Sequence, residues 1–239
     1  MLVLGFPAAV FATNCYLIAP AAGEDCLVID PGVGVVDQLA ERLRQYRLRP
    51  AAVLLTHGHL DHVFSVTPVC GAHGVAVSVH PEDRYRLVDP VSTLGPQLKQ
   101  MFQQQFGASG WKEPDDVRSI EGGQRLSIAG MDVEVIHAPG HTEGSVMFAL
   151  PGVPDELAAD AGLIATVISG DVLFAGSIGR TDLPGGSSEE MTRSLRDRVL
   201  PMDDATLVLP GHGGATTIGR ERAVNPYLRQ AAQPERPCI

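Results

Sequence analysis

Val53-Leu54-Leu55-Thr56-His57-Gly58-His59-Leu60-Asp61-His62 joins an apolar strand to three imidazoles and a carboxylate within six positions. Packing alone does not call for so many metal-ligating groups at one strand end. His57 and His59 stand two apart on an extended segment, so they point to the same side. Their nitrogens can ligate one ion at about 2.0–2.1 Å. Asp61 and His62, after the chain turns, can face a second ion nearby.

The same event recurs downstream. Val133-Glu134-Val135-Ile136 leads through a short loop to Pro139-Gly140-His141. Thr166-Val167-Ile168-Ser169 runs into Gly170-Asp171, and Leu207-Val208-Leu209 into Pro210-Gly211-His212. Loops at strand ends are where α/β folds place their sites. Gly58, Gly140, Gly170 and Gly211 are expected to permit tight turns that aim the next side chain. His73, His80 and His137 lack such company and are expected to be structural or surface residues.

Around these ends the pattern is layered α/β. Cys15–Ile18 and Cys26–Ile29 read as a hairpin, and Val36, Leu39, Ala40, Leu43 and Tyr46 recur at helical spacing. Strands are expected at 51–55, 75–79, 125–128, 131–135, 146–150, 163–169 and, last, 206–209. A helix is expected to begin at Leu60, another to run over 187–199, and an amphipathic one over 82–107 with Leu94, Leu98, Met101, Phe102 and Phe106 as its apolar face. Residues 151–162 look like a surface insertion. No linker divides the chain, so residues 1–239 are expected to form a single domain.

The net charge of −10, with lysine only at Lys99 and Lys112, argues against a nucleic-acid or anionic-membrane partner. The apolar start resembles a signal peptide, but the first basic residue is Arg42 and Pro7 interrupts the run. Residues 1–30 are therefore expected to be edge strands. No apolar stretch approaches the ~20 residues that span a bilayer. Cys15, Cys26, Cys70 and Cys238 show no metal-knuckle spacing and read as free thiols in a reducing cytoplasm.

His57-Gly58-His59-Leu60-Asp61-His62, followed in order by His141, Asp171 and His212, resembles the metallo-β-lactamase superfamily over nearly the whole chain. The resemblance implies a four-layer αβ/βα sandwich with the metal site along one edge of the two sheets. It also implies roles: His57, His59 and His141 on a first ion, Asp61, His62 and His212 on a second, and Asp171 bridging both. Asp30 matches a supporting acid of the family. The run from Gly170-Asp171-Val172-Leu173-Phe174 through Gly179-Arg180-Thr181-Asp182 to Gly186, and Pro210-Gly211-His212-Gly213 with Thr216-Thr217-Ile218-Gly219-Arg220-Glu221, are similar to small bacterial glyoxalase-II-like hydrolases. Those enzymes cleave thiol esters such as S-lactoylglutathione. Full-length glyoxalase II enzymes carry a C-terminal helical domain that holds the glutathione; here 27 residues follow His212, so no such domain is expected.

Two divalent ions, zinc first and iron or manganese as alternatives, can share a hydroxide and lower the pKa of water to near 7. Asp61 and Asp171 are the expected catalytic carboxylates. A thiol with a pKa near 8.5 leaves as thiolate with little protonation, which suits a thioester better than an amide. Iron-dependent persulfide dioxygenases also resemble this sequence, with His57, His141 and Asp171 as a 2-His-1-carboxylate triad; a metal-binding protein without catalysis is a third alternative. Substrate contacts are expected from loops near the metals: Arg180, then Arg220, Arg222, Asn225 and Tyr227, since guanidinium pairs bidentately with a carboxylate. For Arg180 the plainer alternative is an ion pair with Asp182.

Overall fold

The computed structural model describes residues 1–91, 94, 99–100, 104, 111–157 and 162–233. Six strands make the first sheet, in the order β1 (Leu2–Pro7), β2 (Asn14–Ala19), β3 (Asp25–Ile29), β4 (Arg49–Leu54), β5 (Val77–Val79), β6 (Val117–Ser119). The β1–β2–β3 meander is antiparallel; from β3 to β6 the pairs are parallel. The second sheet holds β7 (Arg125–Ile128), β8 (Met131–His137), β9 (Val146–Pro151), β10 (Ala165–Gly170), β11 (Thr206–Pro210) and β12 (Thr216–Thr217), in the spatial order β12-β11-β10-β9-β8-β7. Here only β10 and β11 are parallel neighbours.

The hairpin, the helix α1 (Val36–Tyr46) and the strand ends fall where the sequence places them. Three expectations are corrected. Within residues 1–30 only β1 is an edge strand; β2 and β3 lie inside the sheet, each hydrogen-bonded to a strand on both sides. The segment from Leu60 divides into α2 (Leu60–Val63) and α3 (Val66–His73). The last strand is β12, two residues long and too short to leave a periodic signal. Of the 82–107 segment, α4 (Arg84–Val88) is seen, while Leu98, Met101, Phe102 and Phe106 lie outside the described residues.

Strand alternation builds the layers. On β2, Cys15, Leu17 and Ala19 face α1 and α3, packing with Leu39, Leu43, Val66 and Val69. Tyr16 and Ile18 face the other sheet, where they share a core with Leu27, Leu54, Phe148, Leu150 and Ile168. Beyond the second sheet, Met147, Val167 and Val208 pack on Met191 and Leu195 of the helical stretch begun by α5 (Ser188–Ser194). Ile218 of α6 (Ile218–Val224) and Leu228 of α7 (Pro226–Ala231) complete that layer. The order is therefore helix, sheet, sheet, helix. Strands buried on both faces read as continuous apolar runs, as Val53–Leu55 and Leu207–Leu209 do. Among the described residues, no helix is long and apolar enough to cross a membrane.

β8, β10 and β11 point the same way, since β8 and β10 each run antiparallel to β9 and β10 is parallel to β11. Their C-terminal ends share one edge. The end of β4 arrives there from the other sheet, where the Thr56 carbonyl accepts the Val146 N–H at 2.8 Å. Buried Cys15, Cys26 and Cys70 are free thiols, and Cys238 lies outside the described residues.

Candidate metal centre

All seven ligand-type residues meet at that edge. His57, His59, His62, His141 and Asp171 are buried, and Asp61 and His212 are half-buried. His59 ends its extended segment as the residue before α2, and Asp61 and His62 sit on that helix. His141 Nε2 lies 2.8 Å from His59 Nδ1 and 3.2 Å from His57 Nε2. His62 Nε2 lies 3.3 Å from His212 Nε2 and 3.6 Å from Asp61 Oδ2. Asp171 stands between the two groups: Oδ2 is 3.5 Å from His141 Nε2 and 3.6 Å from His212 Nε2, and Oδ1 is 3.4 Å from His62 Nε2.

Surrounding bonds settle which nitrogens carry protons. His141 Nδ1 donates to the Arg180 carbonyl at 2.7 Å, so its Nε2 holds the lone pair. The Thr56 hydroxyl donates to Asp30 Oδ2 at 2.6 Å, so it accepts from His57 Nδ1 at 3.1 Å, and His57 Nε2 also holds a lone pair. Two imidazole lone pairs thus face each other at 3.2 Å. That contact is repulsive unless a cation lies between them. Tetrahedral ligands at 2.0–2.1 Å from zinc stand about 3.4 Å apart. Asp171 Oδ1 is buried without a hydrogen-bond partner, as expected where a ligand completes the site. The donor set fits divalent metal.

Asp30, with φ +48°, is the support. It accepts from His62 Nδ1 at 3.0 Å, from the Thr56 hydroxyl and from the Thr56 N–H at 2.8 Å. Such carboxylate–imidazole contacts orient metal ligands.

The electrostatics divide the centre. Burial, reinforced by the neighbouring imidazoles, holds His57 below its ordinary range and His59 down to about 3. Burial also lowers His141, with Asp171 offsetting only part. These three rings are neutral at neutral pH, as metal ligation would require. Burial alone would raise the carboxyls of Asp61 and Asp171, but His62 and its neighbours outweigh it and hold both low. Burial would lower His62 and His212; the carboxylates of Asp171 and Asp61 outweigh it and hold both high.

The glycines at the strand ends serve two different purposes. Gly170 has φ +49°, and a Cβ there would also lie 2.6 Å from Thr56 Cβ. Gly211 has no such backbone requirement; a Cβ there would collide with Asp171 Oδ1 and sit 2.8 Å from His62 Cε1. The tight-turn expectation is thus corrected at Gly211, where close approach to the ligands is the reason, and likewise at Gly58, where a Cβ would meet Arg86 Cβ at 2.7 Å.

Several contributors were missed in the sequence. The Thr13 hydroxyl donates to Asp61 Oδ2 at 2.8 Å. Asp83 and Arg86 are completely buried. Asp83 Oδ2 accepts from the Gly58 N–H at 2.7 Å and the Thr142 hydroxyl at 2.8 Å; Oδ1 accepts from Arg86 Nη1 at 2.7 Å and the Gly144 N–H at 3.1 Å. Arg86 also pairs with Glu143 at 2.8 Å and donates to the Pro184 carbonyl at 2.9 Å. One ion pair therefore ties together the loops that carry His57–His59, His141 and Arg180. An acid and a base three apart look like an exposed helix pair, so only their contacts with residues distant in sequence reveal this role.

The expected substrate residues fare unequally. Arg180 is exposed and pairs with Asp182 at 2.7 and 2.8 Å, while its carbonyl orients His141. Arg220 and Tyr227 are exposed. Arg222 and Asn225 are corrected to scaffold: Arg222 binds Asp204 and the carbonyls of Leu200 and Met202, and buried Asn225 caps α7 and donates to the Ser177 carbonyl and Glu221. His80 and His137, expected to be structural or surface residues, stack on each other beside Glu82, with His80 buried and His137 half-buried.

The family model described as the metallo-beta-lactamase superfamily matches residues 8–166. An uncharacterised protein of Mycobacterium tuberculosis is 44% identical, over 95% of this chain and 98% of its own length. A Haemophilus influenzae protein named hydroxyacylglutathione hydrolase GloC is 34% identical, over 93% and 95%. Among solved structures, the BLEG-1 B3 metallo-beta-lactamase aligns with a TM-score of 0.75 at 31% identity, over 95% of this chain and 99% of that one. TTHA1623, crystallised in a di-iron-bound form, aligns with a TM-score of 0.71 at 33% identity, over 94% and 99%.

Proposed function

This chain belongs to the metallo-beta-lactamase superfamily, and on that premise we propose that its centre is a two-metal hydrolase site acting on thioesters, in the manner of glyoxalase II. The observation that carries the reading is the pair of facing lone pairs on His57 and His141, joined through Asp171 to a second ligand set. His57, His59 and His141 would hold one ion, Asp61, His62 and His212 another, and Asp171 both. When bound, such ions supply an acidified water and polarise a carbonyl.

The chain's own part is preorganisation. Thr56, Asp30 and the Arg180 carbonyl fix the tautomers of His57, His62 and His141. Asp61 and Asp171, ionised at neutral pH, are the acceptors that would orient an attacking water. The thiol leaving group departs as thiolate with little help from an acid. The name of the Haemophilus influenzae relative supports a hydroxyacyl thioester, S-lactoylglutathione or a related thiol adduct. Arg180, next to the centre through its carbonyl, is the first candidate for a substrate carboxylate, with Arg220 and Tyr227 behind it.

Zinc is the first expectation for the metal. The di-iron form of TTHA1623 supports iron as an alternative, and His57, His141 and Asp171 would then serve as an iron triad for persulfide oxidation. One experiment separates these readings. Protein purified without added metal is assayed for metal content, S-lactoylglutathione hydrolysis and persulfide-dependent oxygen uptake. Thiol release with up to two metals per chain is expected. One iron per chain with oxygen uptake, and no thiol release, would replace the hydrolase with the dioxygenase.

A further inference from the structure

A second group of ligand-type side chains lies outside the seven-residue centre. His80 follows β5 of the first sheet, and His137 ends β8 of the second. Their rings stack with centroids 4.1 Å apart and planes 12° from parallel. The Glu82 carboxylate is 3.9 Å from His80 Nδ1 and 3.7 Å from His137 Nε2. Each of the three places one ligand atom within 4.8 Å of the others.

The three line a cleft of about 590 Å³ together with Glu121, Glu134 and one guanidinium, Arg198. Three carboxylates against one cation favour a positive occupant. Gly122 leaves His137 its room, since a Cβ there would lie 2.7 Å from His137 Cβ. His137 Nε2 donates to the Glu143 carbonyl at 2.8 Å, which leaves Nδ1 with the lone pair. A ring N–H held by a backbone carbonyl is the usual support of a metal-ligating histidine.

We propose that His80, Glu82 and His137 form a separate, exchangeable site for a divalent transition ion such as Zn²⁺. Two imidazoles and a carboxylate are a zinc ligand set with positions left for water. Burial, with His137 beside it, lowers the pKa of His80, so its ring is neutral at neutral pH; its Nδ1 accepts the Glu82 N–H at 3.4 Å, a contact that the ion would replace. Stacked rings hold their lone pairs parallel, so binding turns at least one ring out of the stack. That rearrangement, and the exposure of Glu82, make the site weaker than the main centre and give it a signature of its own.

The test uses protein whose main centre is already filled and whose excess metal has been removed. Calorimetric titration with Zn²⁺ is expected to show one further equivalent, weaker than the tightly bound metal. Glu82→Gln and His137→Ala should each weaken that equivalent about tenfold or more, since losing a direct ligand costs at least what losing a supporting residue does, and leave the tightly bound content unchanged. The ring-proton resonances of His80 and His137 should shift over the same titration. Wild-type protein that takes up no further equivalent, or an equivalent that survives Glu82→Gln with unmoved His80 and His137 resonances, overturns the site.

Discussion

Two buried polar clusters sit a few residues apart and differ in one respect. Around Asp83, both carboxylate oxygens are fully engaged, by two backbone N–H groups, a hydroxyl and a guanidinium. In the metal centre, lone pair faces lone pair, and Asp171 Oδ1 has no hydrogen-bond partner. Both clusters are largely buried. The Asp83 carboxylate is complete as folded and acts as scaffold, although Arg86 Nε beside it has no hydrogen-bond partner; in the metal centre the unpartnered atoms include a candidate ligand oxygen. Satisfaction of the carboxylate, more than its burial, separates the Asp83 knot from the candidate site.

The widest separation should come from Asp171→Ala and His59→Ala. Each is expected to lose most bound metal and to fall to background turnover, with the circular dichroism of the folded protein retained. Full metal occupancy with normal turnover in Asp171→Ala would reject its place between the two ligand sets.

Asp83→Ala should do the opposite, striking the fold first. It leaves Arg86 buried with a diminished set of partners, a loss of about 3–5 kcal/mol by analogy with other broken buried pairs. Urea unfolding measures this. Metal affinity should also fall about 10–100-fold, the usual range for a support once removed from the ligands. Adding Arg86→Met should recover part of the stability and none of the affinity. Recovery of both together would mean that the knot does not position the loops.

Acid offers a gentler probe of the centre. His57, His59 and His141 have folded pKa values below their ordinary 6.5, that of His59 at about 3. Below 6.5 the unfolded chain therefore binds more protons, and metal-free protein loses stability as pH falls. His62 and His212 are raised, so their contribution is complete below 6.5 and is lost only as pH rises above it. Between about pH 6.5 and pH 4.5 the first three dominate. The urea midpoint of metal-free wild type should drop across that window, and that of His59→Ala should drop less. Equal slopes would show that His59 is not held neutral by the fold.

The smallest effect concerns the rim. Arg180→Ala is expected to raise KM for an acidic thioester severalfold and leave metal content alone, with a weaker effect on a substrate lacking carboxylates. An unchanged KM for every substrate, with a lowered melting temperature, would reduce the side chain to a partner of Asp182.

The fold and the gathering of the candidate ligands were legible because their signals are local. Four apolar runs each end in a His or Asp, and the first packs four ligands into six residues. The supports were not legible, because their contacts are distant in sequence. Asp83 reaches Gly58 across 25 positions and Thr142 across 59. His80 and His137 look solitary for the same reason: each ends a strand of a different sheet, and only the packing of the sheets brings the rings together. Gly211 was read as a turn residue because a missing side chain does not say which neighbour it makes room for.

His141 is oriented through the carbonyl of residue 180, not through its side chain. Every amino acid carries that carbonyl. Natural variation at this position can therefore explore new side chains directly beside the centre without disturbing the ligand it holds. A lineage descended from this chain could change what it accepts by mutation at 180 while inheriting its chemistry intact, and a saturation library there should return many variants that keep their metal and differ in substrate preference.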